Sequence, residues 1–308
     1  MRAIPFGTKA LASSSTVSNR PEPAKSSADT CSRGATSRDL PPSGLTRADI
    51  PRLRACWLEE IHDITGPIPL TLPLFREVNH CIPLIDPAKP IKHRYSRCPD
   101  SLRPLLMEKI DRYLAAGWWE EKNVPQASLL LCIPKKDGHL RTVVDCREHN
   151  LNMVKDLTPF PNQDMIRSDV ARAPFRSKLD MSNAYEQVRI EPNDVKNTAF
   201  STVVGTFLSH VVQQGDCNAP ATFQRLMTRI FCVFIRKFVY VYLDDIFIFS
   251  YTMEEHEDHL QQVFEVLRAQ SLYLSASKVD LYSSSMDCLG HRIDDRGLHA
   301  DSDKMRSV

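Results

Sequence analysis

Residues 237–250, KFVYVYLDDIFIFS, constrain the fold more than any other stretch of this 308-residue chain. Two runs of β-branched and aromatic residues flank a pair of adjacent carboxylates, Asp244 and Asp245. Such runs are typical of buried strands, and a short polar break between them is typical of a hairpin turn. The stretch therefore predicts an antiparallel hairpin with carboxylates at its tip. Those carboxylates are either ordinary solvated turn residues or part of a functional site.

A third carboxylate bears on that choice. Asp180 ends the strand-like run FRSKL and begins a polar turn, so it is placed to lie at a sheet edge beside Asp244 and Asp245. Three carboxylates within a few ångströms repel one another unless a cation lies among them or one takes up a proton. Carboxylate oxygens suit Mg²⁺, and this group is typical of two-metal phosphoryl or nucleotidyl transfer.

The composition, 42% hydrophobic and 25% charged residues, is that of a globular protein. No run reaches the roughly 20 uncharged apolar residues of a transmembrane helix, and the N-terminus lacks a secretory signal pattern. We therefore expect an intracellular protein that is neither secreted nor bound to a membrane. The nine cysteines include no C-x-x-C pair, which argues against a zinc site and a disulfide framework.

The charge balance limits how the chain could bind nucleic acid. The formal net charge is +1, and residues 46–308 carry two more acidic than basic side chains. Proteins whose affinity comes from neutralising phosphates have a strong basic excess. Any nucleic-acid binding must therefore rest on local patches.

The chain divides by composition. Residues 1–48 are rich in Ser and Pro and poor in large apolar residues, which predicts a disordered leader. Beyond them, helical and strand-like patterns mix without a regular βαβ order, which favours an α+β fold. Helices are predicted over PRLRACWLEEI, SLRPLLMEKIDRYLAAGWW, NAPATFQRLMTRIFCVFI and EEHEDHLQQVFEVLRAQ. The third of these helices would carry Phe223, Met227, Ile230 and Phe234 on one face. A hairpin is predicted over ASLLLCIPKKDGHLRTVVDCREHN, and further strands are predicted over FRSKLDM, VRIEP and TAFSTV.

Four ordered blocks carry a family resemblance. They are FRSKLDMSNAYEQVRI, QQGDCNAPATFQRLM, YVYLDDIFIFS and CLGHRI, and the hairpin IPKKDGHLRTVVDCREHN precedes them. In this order and at these separations they resemble the reverse transcriptase of gypsy-class LTR retrotransposon Pol polyproteins. The resemblance runs from about Leu74 to the C-terminus, and it departs from the pattern at Gln213-Gln214-Gly215-Asp216, where many relatives have Pro-Phe-Gly-Leu.

The resemblance implies the fingers and palm of a right-hand polymerase, with an antiparallel palm sheet backed by helices and the thumb missing. The implied divisions are a leader at 1–48, an N-terminal extension at 49–100, fingers at about 101–155 and 188–217, palm at about 156–187 and 218–298, and the truncated start of the connection to the thumb at 299–308.

The resemblance also implies a polymerase site on the acidic hairpin. Asp180 and Asp244 would be ligands of two Mg²⁺ ions, for which Mn²⁺ could substitute, with Asp245 beside them in a supporting role. The backbone carbonyl of Met181 would contribute to the nucleotide-side metal. Lys278 aligns with a lysine thought to protonate the leaving pyrophosphate, although a lone lysine is also an ordinary surface residue.

Further residues are assigned by the same resemblance to the nucleotide and to the primer-template duplex. Tyr185 would be a steric gate under the sugar, or alternatively an ordinary packed aromatic. The other expected nucleotide contacts are Arg141, Lys135 or Lys136, and the Gln214-Gly215 loop. The expected primer and template contacts are Tyr242, the primer grip Leu289-Gly290-His291, and Gln224, which is otherwise plain helix surface.

The implied function is RNA-directed DNA polymerisation, in which a primer 3′-hydroxyl attacks a deoxynucleoside triphosphate. The expected partners are an RNA or DNA template, a nucleic-acid primer and deoxynucleoside triphosphates, with dimerisation as a further option; the expected locations are the cytoplasm, including a virus-like particle, and the nucleus. An alternative is a degenerate or host-retained remnant that folds and binds nucleic acid without polymerising. An RNA-templated RNA polymerase is disfavoured by Tyr185, since that enzyme needs room for the 2′-hydroxyl.

Overall fold

The computed structural model describes residues 44–90, 96–134, 138 and 140–300. The helices are α1 (Ile50–Glu60), α2 (His62–Thr65), α3 (Arg103–Ala115), α4 (Arg147–Leu151), α5 (Gln163–Arg172), α6 (Ala219–Ile230) and α7 (Met253–Ala269). The strands are β1 (Trp119–Glu121), β2 (Ser128–Pro134), β3 (Leu140–Asp145), β4 (Phe175–Asp180), β5 (Phe200–Ser201), β6 (Thr206–Ser209), β7 (Val239–Tyr242), β8 (Asp245–Ser250), β9 (Ser285–Cys288), β10 (His291–Asp294) and β11 (Gly297–Ala300).

The predicted acidic hairpin is confirmed as β7 and β8, which form an antiparallel sheet with β4 in the order β4-β8-β7. Side chains alternate between the faces of a strand, and both faces of β8 are covered. Ile246 and Ile248 belong to the main core, whereas Phe247 and Phe249 belong to a second core with Ile166 of α5. Burial on both faces explains why the strand is apolar at nearly every position.

Helices α6 and α7 pack against the main-core side of this sheet, and α5 packs against the other. Helix α7 begins with a capping box in which the Thr252 hydroxyl accepts a bond from the Glu255 amide, and its buried face includes Leu260, Val263 and Phe264. The expected antiparallel palm sheet backed by helices is therefore confirmed.

A five-stranded sheet of order β1-β6-β5-β2-β3 forms a second layer with its own core. The predicted hairpin β2-β3 is confirmed, and β2 also pairs in parallel with β5. Helix α3 packs Leu106, Ile110 and Tyr113 into this core. The five strands lie within the two segments that the resemblance assigns to the fingers. A third sheet, β11-β10-β9, follows the β4-β8-β7 sheet in the chain.

Three local expectations differ from the structure. VRIEP forms only isolated bridges, from Arg189 to Val211 and from Ile190 to His80, because each residue finds a different partner segment. Helix α6 ends at Ile230, so Phe234 lies beyond it in a turn, although it still packs on the main core. Order begins before residue 49, since the Leu45 amide donates to a carboxylate oxygen of Glu254.

Residues 1–43 of the expected leader and 301–308 of the expected thumb connection lie outside the described residues. Among the helices that the structure describes, none combines the length and apolarity needed to cross a bilayer.

Candidate active site

The pairing of β4 with β8 places Asp180 beside the acidic pair at the turn of the hairpin. In the β4–β8 register Asp180 is the direct cross-strand partner of Asp245, and the Met181 amide donates to the Asp244 carbonyl (3.0 Å). Directly opposed residues of an antiparallel pair have Cβ atoms about 5 Å apart. The strands thus place Asp180 at the same end of the sheet as Asp244 and Asp245, which follow it by 64 and 65 residues in the sequence.

The turn itself is strained and held by outside contacts. Leu243 has a φ of +53°, in the left-handed region that a branched side chain rarely adopts. Its amide donates to Gln224 Oε1 (2.8 Å), and Gln224 Nε2 donates to the Val241 carbonyl (3.1 Å). A strained backbone conformation of this kind persists only where surrounding contacts hold it in place, and such conformations are concentrated at functional sites.

The expectation that Gln224 touches template or lies on the helix surface is wrong. Its side chain is only 1% exposed, because α6 packs this face against β7. The buried amide satisfies one N–H and one C=O of the acidic hairpin. Gln224 is therefore a brace of the turn that carries Asp244.

Two lysines neutralise two of the carboxylates. Lys278 Nζ lies 3.0 Å from both oxygens of Asp180, and Lys178 Nζ lies 3.0 Å from Asp245 Oδ2. The hydrogen bond to Asp180 and the nearby acidic charges raise the pKa of Lys278. Burial raises the pKa of Asp245, and the charges of Asp244 and Asp180 add to that rise against the opposing effect of Lys178.

Lys178 was missed by the sequence reasoning. It lies two residues before Asp180 in a strand, and side chains at that spacing share a face of the sheet. Strand periodicity alone could therefore have placed its ammonium beside the acidic group. Its Nζ also donates to the Asp287 carbonyl (3.3 Å), which links β4 to the strand before the expected primer grip.

Asp244 is the exposed carboxylate of the group, whereas Asp180 is 8% exposed. Within the described ranges, no three His, Cys, Asp or Glu side chains are already arranged around a common metal position. The carboxylates lie together through their backbones and are balanced by ammonium groups.

Tyr185 lies in the short 3₁₀ helix Ala184–Gln187 that follows β4. Its ring packs edge-on against Phe223, with centroids 6.0 Å apart, and the side chain is half-buried. Burial raises the pKa of the Tyr185 hydroxyl, and the charge of Asp244 raises it further, so the ring lies within electrostatic range of the acidic turn. The observed ring contact is that of a packed aromatic, and the role of Tyr185 as a steric gate stays a prediction.

On the fingers side, Gln214 and Arg141 contact each other, with Arg141 Nε donating to Gln214 Oε1 (3.2 Å). The Val144 amide of β3 donates to the Gln214 carbonyl (3.1 Å). Gly215 has a φ of +119°, and a Cβ there would lie 2.3 Å from the Val144 carbonyl oxygen. Only glycine fits this approach. Lys135 and Lys136 lie outside the described residues.

The expected primer grip forms the turn between β9 and β10. Leu289 and Gly290 both have positive φ, +49° and +77°, and His291 begins β10. Arg167 of α5 donates to the Leu289 carbonyl (3.0 Å), which ties this turn to the second core. Tyr242, the last residue of β7, accepts a hydrogen bond from Gln163 Nε2 (2.6 Å).

The sequence matches the family described as reverse transcriptase (RNA-dependent DNA polymerase) over residues 133–293, just over half of the chain. It is 31% identical over 205 residues to the retrovirus-related Pol polyprotein from transposon 297 of Drosophila melanogaster, covering 65% of this chain and 19% of that protein. It is 28% identical over 200 residues to the transposon Tf2-3 polyprotein of Schizosaccharomyces pombe, covering 65% and 15%. The chain spans about a fifth of the length of such relatives.

The fold resembles that of foamy viral protease-reverse transcriptase. One such structure, in complex with double-stranded DNA, has a TM-score of 0.73 at 22% identity, covering 86% of this chain and 46% of that one. Another, in complex with an RNA/DNA hybrid, has a TM-score of 0.70 at 20% identity, covering 86% and 36%. At these identities the likeness establishes the fold, while the match over residues 133–293 establishes the family. This chain belongs to the reverse transcriptase (RNA-dependent DNA polymerase) family.

Proposed function

We propose that residues 101–298 act as the fingers and palm of a retrotransposon reverse transcriptase of the gypsy class. The reaction is the addition of a deoxynucleoside triphosphate to a primer 3′-hydroxyl on an RNA or DNA template. The observation that carries this proposal is the β4–β8 register, which sets Asp180 opposite Asp245 and beside the exposed Asp244.

The donor set of this turn fits a hard divalent cation. Asp180 already holds a cationic group, the Lys278 ammonium, against both carboxylate oxygens, and Asp244 is open to solvent. Asp180, Asp244 and the Met181 carbonyl would hold two Mg²⁺ ions, with Mn²⁺ as a substitute and Asp245 in support. When bound, the metals would activate the primer hydroxyl and stabilise the leaving pyrophosphate.

Each lysine has a separate role in the proposal. Lys178 keeps Asp245 neutralised from within the sheet, so that Asp244 is the carboxylate that remains available. The ammonium of Lys278 balances Asp180 and would give way to a bound metal, and a lysine side chain carries its proton at neutral pH without any shift. That proton is then available to the departing pyrophosphate.

The nucleotide would lie between this turn and the fingers. Arg141 would contact the triphosphate with its guanidinium, whose planar donors suit phosphate oxygens. Gln214 and Gly215 would lie against the sugar and base pair, and Tyr185 would exclude the 2′-hydroxyl. Primer backbone would approach at Gly290, beside Leu289 and His291, and Tyr242 would contact the duplex.

The partners and location follow from the same proposal. The chain would bind a nucleic-acid primer and template and would work in the cytoplasm, in a virus-like particle, and in the nucleus. A dimer is compatible with this function.

Primer extension on an RNA template with Mg²⁺ tests the proposal. The chain should extend a DNA primer, and Asp244→Asn should reduce the rate by at least about a hundredfold, the scale on which lost electrostatic stabilisation of a transition state is measured. Asp258→Asn, at an exposed position on α7, is the matched control and should keep full activity. Template binding without extension in any metal would instead favour the remnant.

A further inference from the structure

A buried acid lies outside the acidic hairpin, at Asp216. Its side chain is 8% exposed. Burial alone would raise the pKa of Asp216, but the contact with His80 and the hydrogen bond from the Asn218 amide (2.8 Å) lower it below its ordinary value. A carboxylate that stays charged when buried needs partners, because an unpaired buried charge is costly.

The main partner is His80 of the N-terminal extension. The imidazole is fully buried, with Nε2 3.1 Å from Asp216 Oδ2 and Nδ1 2.9 Å from Thr222 Oγ1 of α6. Nε2 therefore faces the carboxylate at ion-pair distance but without hydrogen-bond geometry, whereas Nδ1 has the Thr222 hydroxyl as its hydrogen-bond partner. The backbone is also fixed, since the His80 amide donates to the Arg189 carbonyl (2.8 Å) and the His80 carbonyl accepts from the Glu191 amide (2.9 Å).

Asp216 directly follows the Gln214-Gly215 loop. The other end of the loop is held by β3, where the Val144 amide donates to the Gln214 carbonyl. Asn150 of α4 donates to the Gly215 carbonyl (2.8 Å) and accepts from the Cys217 amide (3.0 Å). The loop thus has one anchor in the fingers sheet, one in α4, and one in the extension.

We infer that His80 is a positioning residue that fixes residues 213–217 through Asp216. Glycine has more backbone freedom than any other residue, so Gly215 gives the loop many alternative conformations. Without His80, the Asp216 carboxylate would turn toward water and would pull the loop off its β3 anchor. The effect on the nucleotide rests on the proposed function, whereas the effect on loop order does not.

Hydrogen exchange tests loop order without relying on activity. In His80→Leu, the amides of residues 213–217 should exchange at least about tenfold faster, while those of the acidic hairpin 239–250 keep their rates. His256→Leu is the matched control, because it replaces another histidine that is 0% exposed, and it should leave the loop unchanged. Unchanged loop exchange in His80→Leu would overturn the inference.

A double-mutant cycle tests whether His80 acts through Asp216. Asp216→Leu removes the carboxylate, so it keeps the experiment informative if His80→Leu folds poorly. Adding His80→Leu to Asp216→Leu should then change loop exchange by less than about twofold, as expected for two residues that act as a unit. If His80→Leu speeds loop exchange tenfold both in the wild-type chain and in Asp216→Leu, His80 acts by packing alone. That result would refute the inference that His80 acts through its contact with Asp216.

Kinetics connects the loop to the nucleotide. His80→Leu should raise KM for deoxynucleotides about fivefold or more and leave kcat within about twofold, because the loop would bind the nucleotide rather than the reacting atoms. Faster loop exchange with an unchanged KM would refute the nucleotide part. A wild-type chain that extends no primer would refute the proposed function, and the exchange experiment would still decide the role of His80.

Discussion

Asp244 and Asp245 are adjacent in the sequence but have different surroundings. Asp245 is paired with Lys178 within the sheet, and Asp244 is exposed on the turn. Asp244→Asn removes one negative charge from a group of like charges, so the free energy of unfolding in metal-free buffer should stay the same or rise. Urea denaturation measures it. A loss above about 1 kcal/mol would instead give Asp244 a structural role.

Tyr185 invites a test of sugar selection. If its ring lies under the sugar, Tyr185→Ala should increase the use of ribonucleotides relative to deoxynucleotides by at least about tenfold, because the 2′-hydroxyl gains space. Tyr185→Phe keeps the ring and should keep the selectivity. The readout is the ratio of kcat/KM for the two nucleotides. Equal losses with both would mean that Tyr185 only packs against Phe223.

Gln224 should affect stability and activity together. Gln224→Leu leaves the Leu243 N–H and the Val241 C=O without their buried partner, which costs about 1 to 3 kcal/mol for each unsatisfied group. The turn that carries Asp244 also loses its brace, so primer extension should fall. Gln261→Leu, at an exposed site on α7, is the control for chemical unfolding. Equal stabilities of the two variants would contradict the bracing role.

At the scale of the element, the acidic hairpin and the major helices could be predicted because their signals are local. Apolar runs and helical patterns lie within a few residues of one another. The turn predicted at Asp244-Asp245 is one residue too late, since the structure has it at Leu243-Asp244 and Asp245 already begins β8. Gln224, Lys178 and His80 depend on partners 17 to 136 residues away. A side chain's partner over such separations is set by packing, which a single sequence does not display.

The loop between β6 and α6 gives a matched glycine test. Gly215→Ala should cost at least about 1 kcal/mol more than Gly297→Ala. The two glycines have similar φ, +119° and +123°, but a Cβ at Gly215 meets the Val144 carbonyl at 2.3 Å, whereas nothing lies within 4 Å of one at Gly297. The difference in unfolding midpoint isolates the close approach from the backbone conformation. Equal unfolding midpoints for the two variants would show that the contact between the loop and β3 can shift at little cost in stability.

At the scale of the whole molecule, His256 joins several elements. Its ring lies 2.8 Å from both Ser177 Oγ of β4 and Ser250 Oγ of β8, and it faces Tyr282 edge-on. Burial lowers the pKa of His256 to about 3, and the charge of His259 contributes to the decrease. The folded protein therefore holds this imidazole neutral at pH values where an unfolded chain would protonate it.

The pH dependence of stability follows from that difference. Between pH 6.5 and about 3 the unfolded state binds one proton more than the folded state at His256, so stability should fall as the pH decreases through this window and be independent of His256 above it. The loss should reach a few kcal/mol. His256→Gln should show a shallower decline in denaturation midpoint. Parallel curves for the two proteins would contradict the assignment.

The β4–β8 pairing also has a consequence for synthesis. β4 leaves the ribosome before the strand with which it pairs, since Asp180 precedes its partner Asp245 by about 65 residues. At roughly 5 to 20 residues per second, the delay is about 3 to 13 seconds. During that time the strand β4 has both edges unpaired, and such edges pair readily with other chains. The order of translation thus leaves residues 175–180 without their strand partner for those seconds, so an early pairing with another chain would occur there.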